Sequence, residues 1–301
     1  MNSINFCKFH GFGNDYIVIE NEELQAVENL GEFAKRICHR NTGVGGDGIA
    51  VLKKSENKAA DYACRIINPD GSEAGFSGNG TRCAVAYLYY KNLWSDEFLK
   101  LITWSGVKNY QLLERGQNTF WFRAELGKPN FDLPDSPLLK MISRVKDKTQ
   151  PASSFPILLP REGLIIDSFF VDVGNPVICV FVRDFNPLVS NSGTFSWQQI
   201  GQKIESGKEM FPEKTNVVFV KVIDRENIEI RIWERGAGET SSSGTCSIAA
   251  AVASAFTGKT ERKVSVHAEG GTTEAVWRED GEMLITGRAD LAFCGKIIGK
   301  T

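Results

Sequence analysis

The sequence predicts an α+β protein that consists of two similar, β-rich halves. The first observation behind this prediction is a strand, a loop and a helix that recur 166 residues further along the chain. The second is that only four sizeable helical segments occur among many short strand-like runs, which argues against regular β-α-β alternation. We expect one half to contain residues 1–126 with a C-terminal strand at 288–301, and the other to contain residues 127–287.

The repeated unit includes residues 68–90, where a turn-rich loop leads through a serine and a glycine into an apolar, helix-forming run. Adding 166 to each number places Arg65 on Arg231 and Ser77 on Ser243, and a glycine and a helix follow each serine. The free N–H groups of a helix's first turn form an anion site. Each serine hydroxyl is therefore predicted to lie beside a cradle for a carboxylate or a phosphate.

The net charge, the apolar runs and the cysteine count exclude several classes of protein. A net charge of −2 gives no electrostatic case for a nucleic-acid partner. No uninterrupted apolar run of about 18 residues could span a membrane, and no charged region followed by an apolar core marks a signal peptide. Seven scattered cysteines without a Cys-x-x-Cys pair are typical of reduced, mostly buried thiols. We therefore expect a cytoplasmic protein without a membrane partner.

The first half is predicted to begin with a strand, a turn and a second strand, at residues 4–9, 10–15 and 16–20. Apolar residues at helical spacing predict a helix over 30–40. Further strands are predicted at 49–52, 62–67, 99–104, 110–113 and 119–124.

The glycine-rich loop at 43–48 fits the dinucleotide-binding pattern G-x-G-x-x-G. That pattern requires a strand before the loop and a helix after it. Here a helix precedes the loop and a strand follows it, so we interpret it as a tight turn that brings a strand to the rim of a ligand site.

Six prolines between residues 127 and 160 predict an irregular crossing between the halves. A fainter repeat pairs Gly13-Asn14 in the first half with Gly174-Asn175 in the second. Strands are predicted at 165–173, 177–183, 217–222, 228–233 and 291–297, with helices at 197–206 and 248–256.

Six motifs, in order over nearly the whole chain, resemble those of the diaminopimelate epimerase family. They are His10-Gly-Phe-Gly-Asn14-Asp-Tyr, Gly43-Val-Gly-Gly-Asp47-Gly, Asn68-Pro-Asp-Gly-Ser-Glu73 with Ser77-Gly-Asn79-Gly-Thr-Arg82-Cys, Gly174-Asn175-Pro, Lys214-Thr-Asn216-Val, and Glu234-Arg235-Gly-Ala-Gly-Glu-Thr240 with Ser243-Gly-Thr245.

The resemblance implies two pseudo-symmetric, barrel-like halves, each around a central helix, with the active site in the cleft between them. It implies a homodimeric amino-acid epimerase that needs no cofactor or metal. It places the proton carriers at positions 77 and 243 and the reacting carboxylate on N–H groups around Gly78, Asn79, Gly244 and Thr245. The substrate's far amino and carboxylate groups would be held by Asn14, Asn68, Asn175, Asn216, Glu234 and Arg235.

The chain departs from the family at the two proton carriers, because cysteines are expected where Ser77 and Ser243 stand. A thiol has a reference pKa of about 8.5, whereas a serine hydroxyl ionises far less readily and needs an adjacent base. The serine pair therefore predicts a weak racemase unless another group assists.

Three interpretations stay open. In the first, the protein is an epimerase that converts LL- to meso-diaminopimelate for lysine and cell-wall precursor synthesis. In the second, it is an isomerase or dehydratase of a related amino acid, with His10, Glu73 or Glu239 as base. In the third, it binds an amino acid without reacting with it. Apart from these interpretations, Cys83 and Cys246 are the thiols nearest to the serines in the sequence; Cys83 is expected to pack in the core, whereas Cys246 could face the cleft.

Overall fold

The computed structural model describes residues 3–133, 135, 136, 139, 154–185, 188–212 and 214–298, and the chain divides into two compact units. Unit 1 contains Met1–Leu126, Ser242–Gly244 and Ile285–Thr301, and unit 2 contains Gly127–Ser241 and Thr245–Leu284. The short segment Ser242–Gly244 thus groups with unit 1, although the helix that it opens continues in unit 2.

The strands of unit 1 form a closed barrel. β1 is followed around the ring by β2, β3, β4, β6, β7, β8 and β19, and β19 pairs with β1. These strands, with the short β5 that pairs with β4, are β1 (Ser3–Gly11), β2 (Asn14–Glu20), β3 (Gly48–Lys54), β4 (Tyr62–Ile67), β5 (Glu73–Ala74), β6 (Phe98–Thr103), β7 (Gly106–Arg115), β8 (Thr119–Glu125) and β19 (Met283–Ile298).

Helix α2 (Gly78–Tyr90) is the central helix of this barrel, with residues 78–89 all buried. A helix that is buried on every side is mostly small and apolar, and the buried polar residues of this one, Asn79, Thr81 and Arg82, are hydrogen-bonded. Helix α1 (Leu30–Cys38) packs instead on the other face of the sheet, where Phe33 and Ile37 contact residues of β2 and β3. The amphipathic α1 and the uniformly buried α2 therefore cover opposite faces of the same strands.

Unit 2 repeats this arrangement. Its strands pair in the order β9, β10, β11, β14, β15, β17 and β18, and β16 pairs with β15. The pairs β11–β14 and β15–β17 are parallel, as the pairs β2–β3 and β4–β6 are in unit 1. The strands are β9 (Ser154–Leu159), β10 (Leu164–Asp172), β11 (Pro176–Phe181), β14 (Asn216–Val222), β15 (Asn227–Glu234), β16 (Gly238–Thr240), β17 (Lys263–Ala268) and β18 (Gly271–Trp277).

Two further α-helices complete the correspondence, and a short 3-10 helix (Asn21–Leu24) follows β2. Helix α3 (Trp197–Glu205) packs Trp197, Ile200 and Ile204 into the core of unit 2. Helix α4 (Gly244–Phe256) has the same length as α2 and begins 166 residues after it, counting from Gly78 to Gly244. The predicted duplication, and with it the predicted fold class, is confirmed.

Several element predictions were wrong in detail. The proline-rich crossing contains β9, whose Pro156 lies opposite Asp167 of β10. Pro134, Pro137 and Pro151 lie outside the described residues. A small hairpin, β12 (Leu188–Ser190) with β13 (Gly193–Phe195), was not predicted, and β19 begins at Met283 rather than at residue 291.

The prediction of seven reduced thiols was also wrong. Cys7 of β1 and Cys294 of β19 face each other in register and are joined by a disulfide, whereas Cys38, Cys64, Cys83, Cys179 and Cys246 are free and buried. The two bonded cysteines are 287 positions apart, so the sequence offered no spacing motif from which the pair could be recognised.

No helix in the described part of the chain is long and apolar enough to cross a membrane.

Candidate active site

Ser77 is the N-cap residue of α2. Its backbone is extended, and its Oγ accepts a hydrogen bond from the N–H of Gly80 at 3.1 Å. The same oxygen lies 2.8 Å from the hydroxyl of Tyr16 on β2. Because a helix N-terminus carries a partial positive charge, the Ser77 hydroxyl lies in a field that favours negative charge.

The N-termini of α2 and α4 meet at two glycines of unit 1. A Cβ atom added at Gly244 would lie 3.2 Å from the Cα of Gly78, so the two backbones approach closely enough for a side chain there to crowd Gly78. Consecutive Cα atoms are about 3.8 Å apart, and therefore the Cα atoms of Ser77 and Ser243 are separated by at most about 12 Å. Two hydroxyl-bearing helix starts thus flank one small region.

Ser243 corresponds to Ser77 in the repeat and is 4% exposed. It follows Ser242 and directly precedes the first residue of α4, so its position relative to its helix matches that of Ser77. Thr245, the second residue of α4, is buried in unit 2.

Asn79 connects three segments of unit 1. Its Nδ2 donates to Oδ1 of Asn14 at 3.1 Å and to the carbonyl oxygen of Ser242 at 3.3 Å, and its Oδ1 accepts from Nη2 of Arg82. Asn14 in turn donates from Nδ2 to Oδ2 of Asp47 at 2.8 Å. The predicted site residues Asn14 and Asn79 are therefore in direct contact with each other, and Asn79 also contacts the segment that carries Ser243.

A charged cluster supports Asn14 from the side of the glycine-rich loop. Arg40 donates to Asp15 at 2.9 Å and to Asp47 at 2.6 Å, and Lys8 lies 2.7 Å from Asp15. Burial would raise the pKa of Asp15, but the hydrogen bonds from Arg40 and Lys8 hold it below the ordinary value. Burial and the neighbouring charge of Asp15 raise the pKa of Asp47.

Asn68 is placed differently from Asn14. It follows β4, and its Nδ2 donates to Oγ of Ser72 at 3.0 Å while its backbone carbonyl accepts from Gly71. In the structure this asparagine closes its own turn.

Four predicted binding residues of unit 2 gather at one edge of its sheet. Asn175 precedes β11, Asn216 begins β14 and Glu234 ends β15, and these three strands are neighbours. The backbone N–H of Arg235 donates to Oδ1 of Asn216 at 2.9 Å, and Thr240 donates to Glu234 at 2.9 Å. This edge corresponds in the repeat to the edge of unit 1 where Asn14 begins β2 and β4 ends.

Glu73 is unsuitable as an alternative base. Arg65 donates to both of its carboxylate oxygens at 2.8 and 2.9 Å, and Trp104 donates to Oε1 at 2.8 Å. The hydrogen bonds from Arg65, followed by that from Trp104, lower the pKa of Glu73 despite some opposing burial. Its equivalent in unit 2, Glu239, is exposed and accepts from Gln198 at 3.4 Å.

His10 contacts Gly13 and Asp290, and the two cysteines nearest to the serines are buried within helices. Nδ1 of His10 accepts from the N–H of Gly13 at 3.3 Å and lies 4.0 Å from Asp290. Cys83 is fully buried within α2, and burial raises its pKa to about 12, as expected for a core thiol. Cys246 is likewise fully buried within α4 rather than exposed to a cleft.

Four residues that shape this region were given no role from the sequence: Tyr16, Asp47, Arg82 and Ser242. The motifs include the first three, and Arg82 also had a helical signal, because it stands three residues after Asn79 on a predicted helix, where side chains meet. The contacts of Tyr16, Asp47 and Ser242 join segments far apart in the chain, so the sequence could not show what these residues touch. Among the described residues, no group of three or more His, Cys, Asp or Glu side chains could hold a metal ion.

Comparison with known proteins settles the family. The family model for diaminopimelate epimerase matches residues 6–131 and 169–292. The chain belongs to the diaminopimelate epimerase family. It is 36% identical to the diaminopimelate epimerase of Caldanaerobacter subterraneus subsp. tengcongensis, over 97% of this chain and 98% of that protein. It is 32% identical to that of Halothermothrix orenii, over 98% of both.

The fold agrees with a solved structure of more distant sequence. A probable proline racemase from Agrobacterium radiobacter K84 superposes with a TM-score of 0.72 at 16% identity, covering 98% of this chain and 93% of that one. As a member of the diaminopimelate epimerase family, the protein is an amino-acid epimerase, that is, an isomerase.

Proposed function

We propose that this protein converts LL-diaminopimelate to meso-diaminopimelate without a cofactor, with Ser77 and Ser243 as the proton carriers on opposite faces of the α-carbon. The observation that carries the proposal is the contact between Gly78 and Gly244, which joins the two helix N-termini that follow these serines. The relatives that support this substrate are themselves named diaminopimelate epimerases.

The chemistry explains why two helix N-termini are needed. Removal of the α-proton moves negative charge onto the substrate's carboxylate, and groups that stabilise charge where it develops lower the barrier most. The N–H groups around Gly78 and Asn79, with those around Gly244 and Thr245, would donate to that carboxylate. Inversion then requires one proton carrier on each face, and the duplication provides one serine per repeat.

The far end of the substrate carries a second ammonium and a second carboxylate. We assign its binding to Asn14, Asn68, Asn175, Asn216, Glu234 and Arg235. Amide groups both donate and accept, a carboxylate accepts and a guanidinium donates, so this set matches a zwitterion. In the proposed function the enzyme is a cytoplasmic homodimer of lysine and cell-wall precursor synthesis.

Solvent exchange tests the proposal directly. LL-diaminopimelate is incubated with the protein in heavy water, and deuterium at the α-carbons and the LL-to-meso ratio are followed by NMR and chiral chromatography. We expect slow incorporation that accompanies the appearance of the meso isomer and is lost in the double variant Ser77→Ala, Ser243→Ala. Binding without incorporation, or exchange that survives in the double variant, would refute the serine pair.

A further inference from the structure

Two side-chain amides of unit 1 are joined end to end between a basic group and an acidic group. Arg82 donates to Asn79, Asn79 donates to Asn14 and Asn14 donates to Asp47. Arg82 and Asn79 are 1% exposed and Asn14 is 6% exposed, while the carboxylate of Asp47 reaches the surface. The four side chains form one hydrogen-bonded row from the inside of the barrel to its rim.

The two ends of this row determine its direction. A guanidinium can only donate and an ionised carboxylate can only accept, whereas an amide can be turned over to exchange its donor and acceptor. Asn79 must therefore present its oxygen to Arg82 and its NH2 group to Asn14, and Asn14 must present its NH2 group to Asp47. Turning over either amide would bring two donors or two acceptors together in a buried place, which is unfavourable.

Other contacts hold both ends in place. Nε of Arg82 donates to the carbonyl oxygen of Arg288 at 2.9 Å. Oδ2 of Asp47 also accepts from the backbone N–H of Asp15 at 3.0 Å, and its Oδ1 accepts from Arg40. Neither end can rotate without breaking further hydrogen bonds.

The direction of the row matters for a ligand. With one N–H committed to Asp47 and one lone pair to Asn79, the amide of Asn14 retains one N–H and one lone pair. These are the two groups that recognise a carboxylate and an ammonium. Asn79 also donates to the carbonyl oxygen of Ser242, so its NH2 group has two acceptors in this orientation.

We propose that Arg82 and Asp47 are positioning residues that set the orientation of the Asn79 and Asn14 amides, so that Asn14 offers one donor and one acceptor in defined places to an amino-acid zwitterion. The identity of the ligand rests on the proposed function, whereas the direction of the row does not.

Asp47→Asn tests the proposed orientation of the two amides at the exposed end of the row. The variant keeps the shape of the side chain but removes the group that can only accept. Lys8→Gln is the matched control, because it removes a charge from the same cluster, from a residue that contacts Asp15 rather than the row. In protein labelled with ¹⁵N at asparagine, NMR then follows the side-chain NH2 signals of Asn14 and Asn79 without any ligand.

We expect hydrogen exchange of both NH2 groups to accelerate about 10- to 100-fold in Asp47→Asn, in line with the loss of a charged hydrogen bond, and to change less than about threefold in Lys8→Gln. Unchanged exchange in Asp47→Asn would overturn the proposal. Arg82→Lys, which still only donates, should retain slower exchange than Arg82→Gln; if buried Arg82 variants fail to fold, the Asp47 comparison alone decides.

Kinetics give the second readout. With LL-diaminopimelate, Asp47→Asn should raise KM about 10- to 100-fold while kcat falls less than about threefold, because a far-end contact serves ground state and transition state equally. An equal fall of kcat and kcat/KM with unchanged KM would contradict the assigned role of Asn14. If the wild-type protein has no activity, the proposed function fails, and the exchange measurement still tests whether Asp47 and Arg82 orient the two amides.

Discussion

Replacing both serines by cysteine, Ser77→Cys with Ser243→Cys, should strongly accelerate α-proton exchange. A thiol with pKa about 8.5 is roughly 3% ionised at pH 7. If a serine hydroxyl ionises about as weakly as water, its ionisation is disfavoured relative to a thiol by about seven pKa units. The serine alkoxide is the stronger base and reacts faster per ion than a thiolate. With a Brønsted coefficient of about 0.5, this higher reactivity offsets about half of the seven-unit disadvantage in ionisation. The expected net gain is about 10³- to 10⁴-fold.

The geometry supports the introduced thiols at both positions. Each directly precedes the first residue of a helix, and the N–H groups of that helix would lower the thiol pKa further. Ser77→Cys weakens the cap to Gly80, which should cost about 1 kcal/mol of stability. Urea unfolding of each variant therefore accompanies the deuterium-exchange assay, so that a loss of fold is distinguished from a loss of chemistry.

Single variants sharpen the test, because one thiol and one hydroxyl make the two faces unequal. Each single variant, Ser77→Cys or Ser243→Cys, should accelerate α-proton exchange of one epimer of the substrate, and the two variants should favour opposite epimers. Ser247→Cys is the control for added sulfur: it lies one turn further along α4 and is buried. A folded double variant that exchanges no faster than the wild type would refute the role of these two positions.

Further outcomes follow from the packing. Gly244→Ala should lower the free energy of unfolding by about 1 kcal/mol or more, because the new Cβ would crowd the Cα of Gly78, and an unchanged urea midpoint would contradict that close approach. With Cys7 and Cys294 bonded, the denatured, unreduced protein should titrate five thiols with Ellman's reagent; seven would show that the bond is absent. Burial raises the pKa of Cys83 to about 12, so at pH 9 this thiol stays neutral. Its alkylation by iodoacetamide should be at least about 100-fold slower in native protein than in urea, and equal rates would exclude the buried position.

Sequence reasoning succeeded where the fold depends on local pattern and on the duplication. The spacing of 166 residues predicted two equivalent helices, and the structure places their first residues at Gly78 and Gly244. It failed for β9, because Pro156 is a strong local signal against a strand, whereas pairing with β10 outweighs it. Helix periodicity is local, but strand pairing is not.

The candidate site shows the same limit. The motifs identified the serines, the glycines and Asn14, all of which lie where short patterns are informative. The partners that orient them, such as Asp47 on Asn14, come from positions 33 residues away, and the Asn79 contact with Ser242 spans 163 residues. Such partners follow only from the completed barrel. The expectation that two halves enclose the substrate stays a prediction.

The pairing of β1 with β19 also indicates that this protein should tolerate circular permutation. Ser3 and Ile298 are partners in register, so the two ends of the described chain lie side by side on neighbouring strands. A linker of a few residues would therefore join them with little loss of loop entropy. A circular permutant, opened at the exposed turn that includes Asn57 and Lys58, should retain the same barrel.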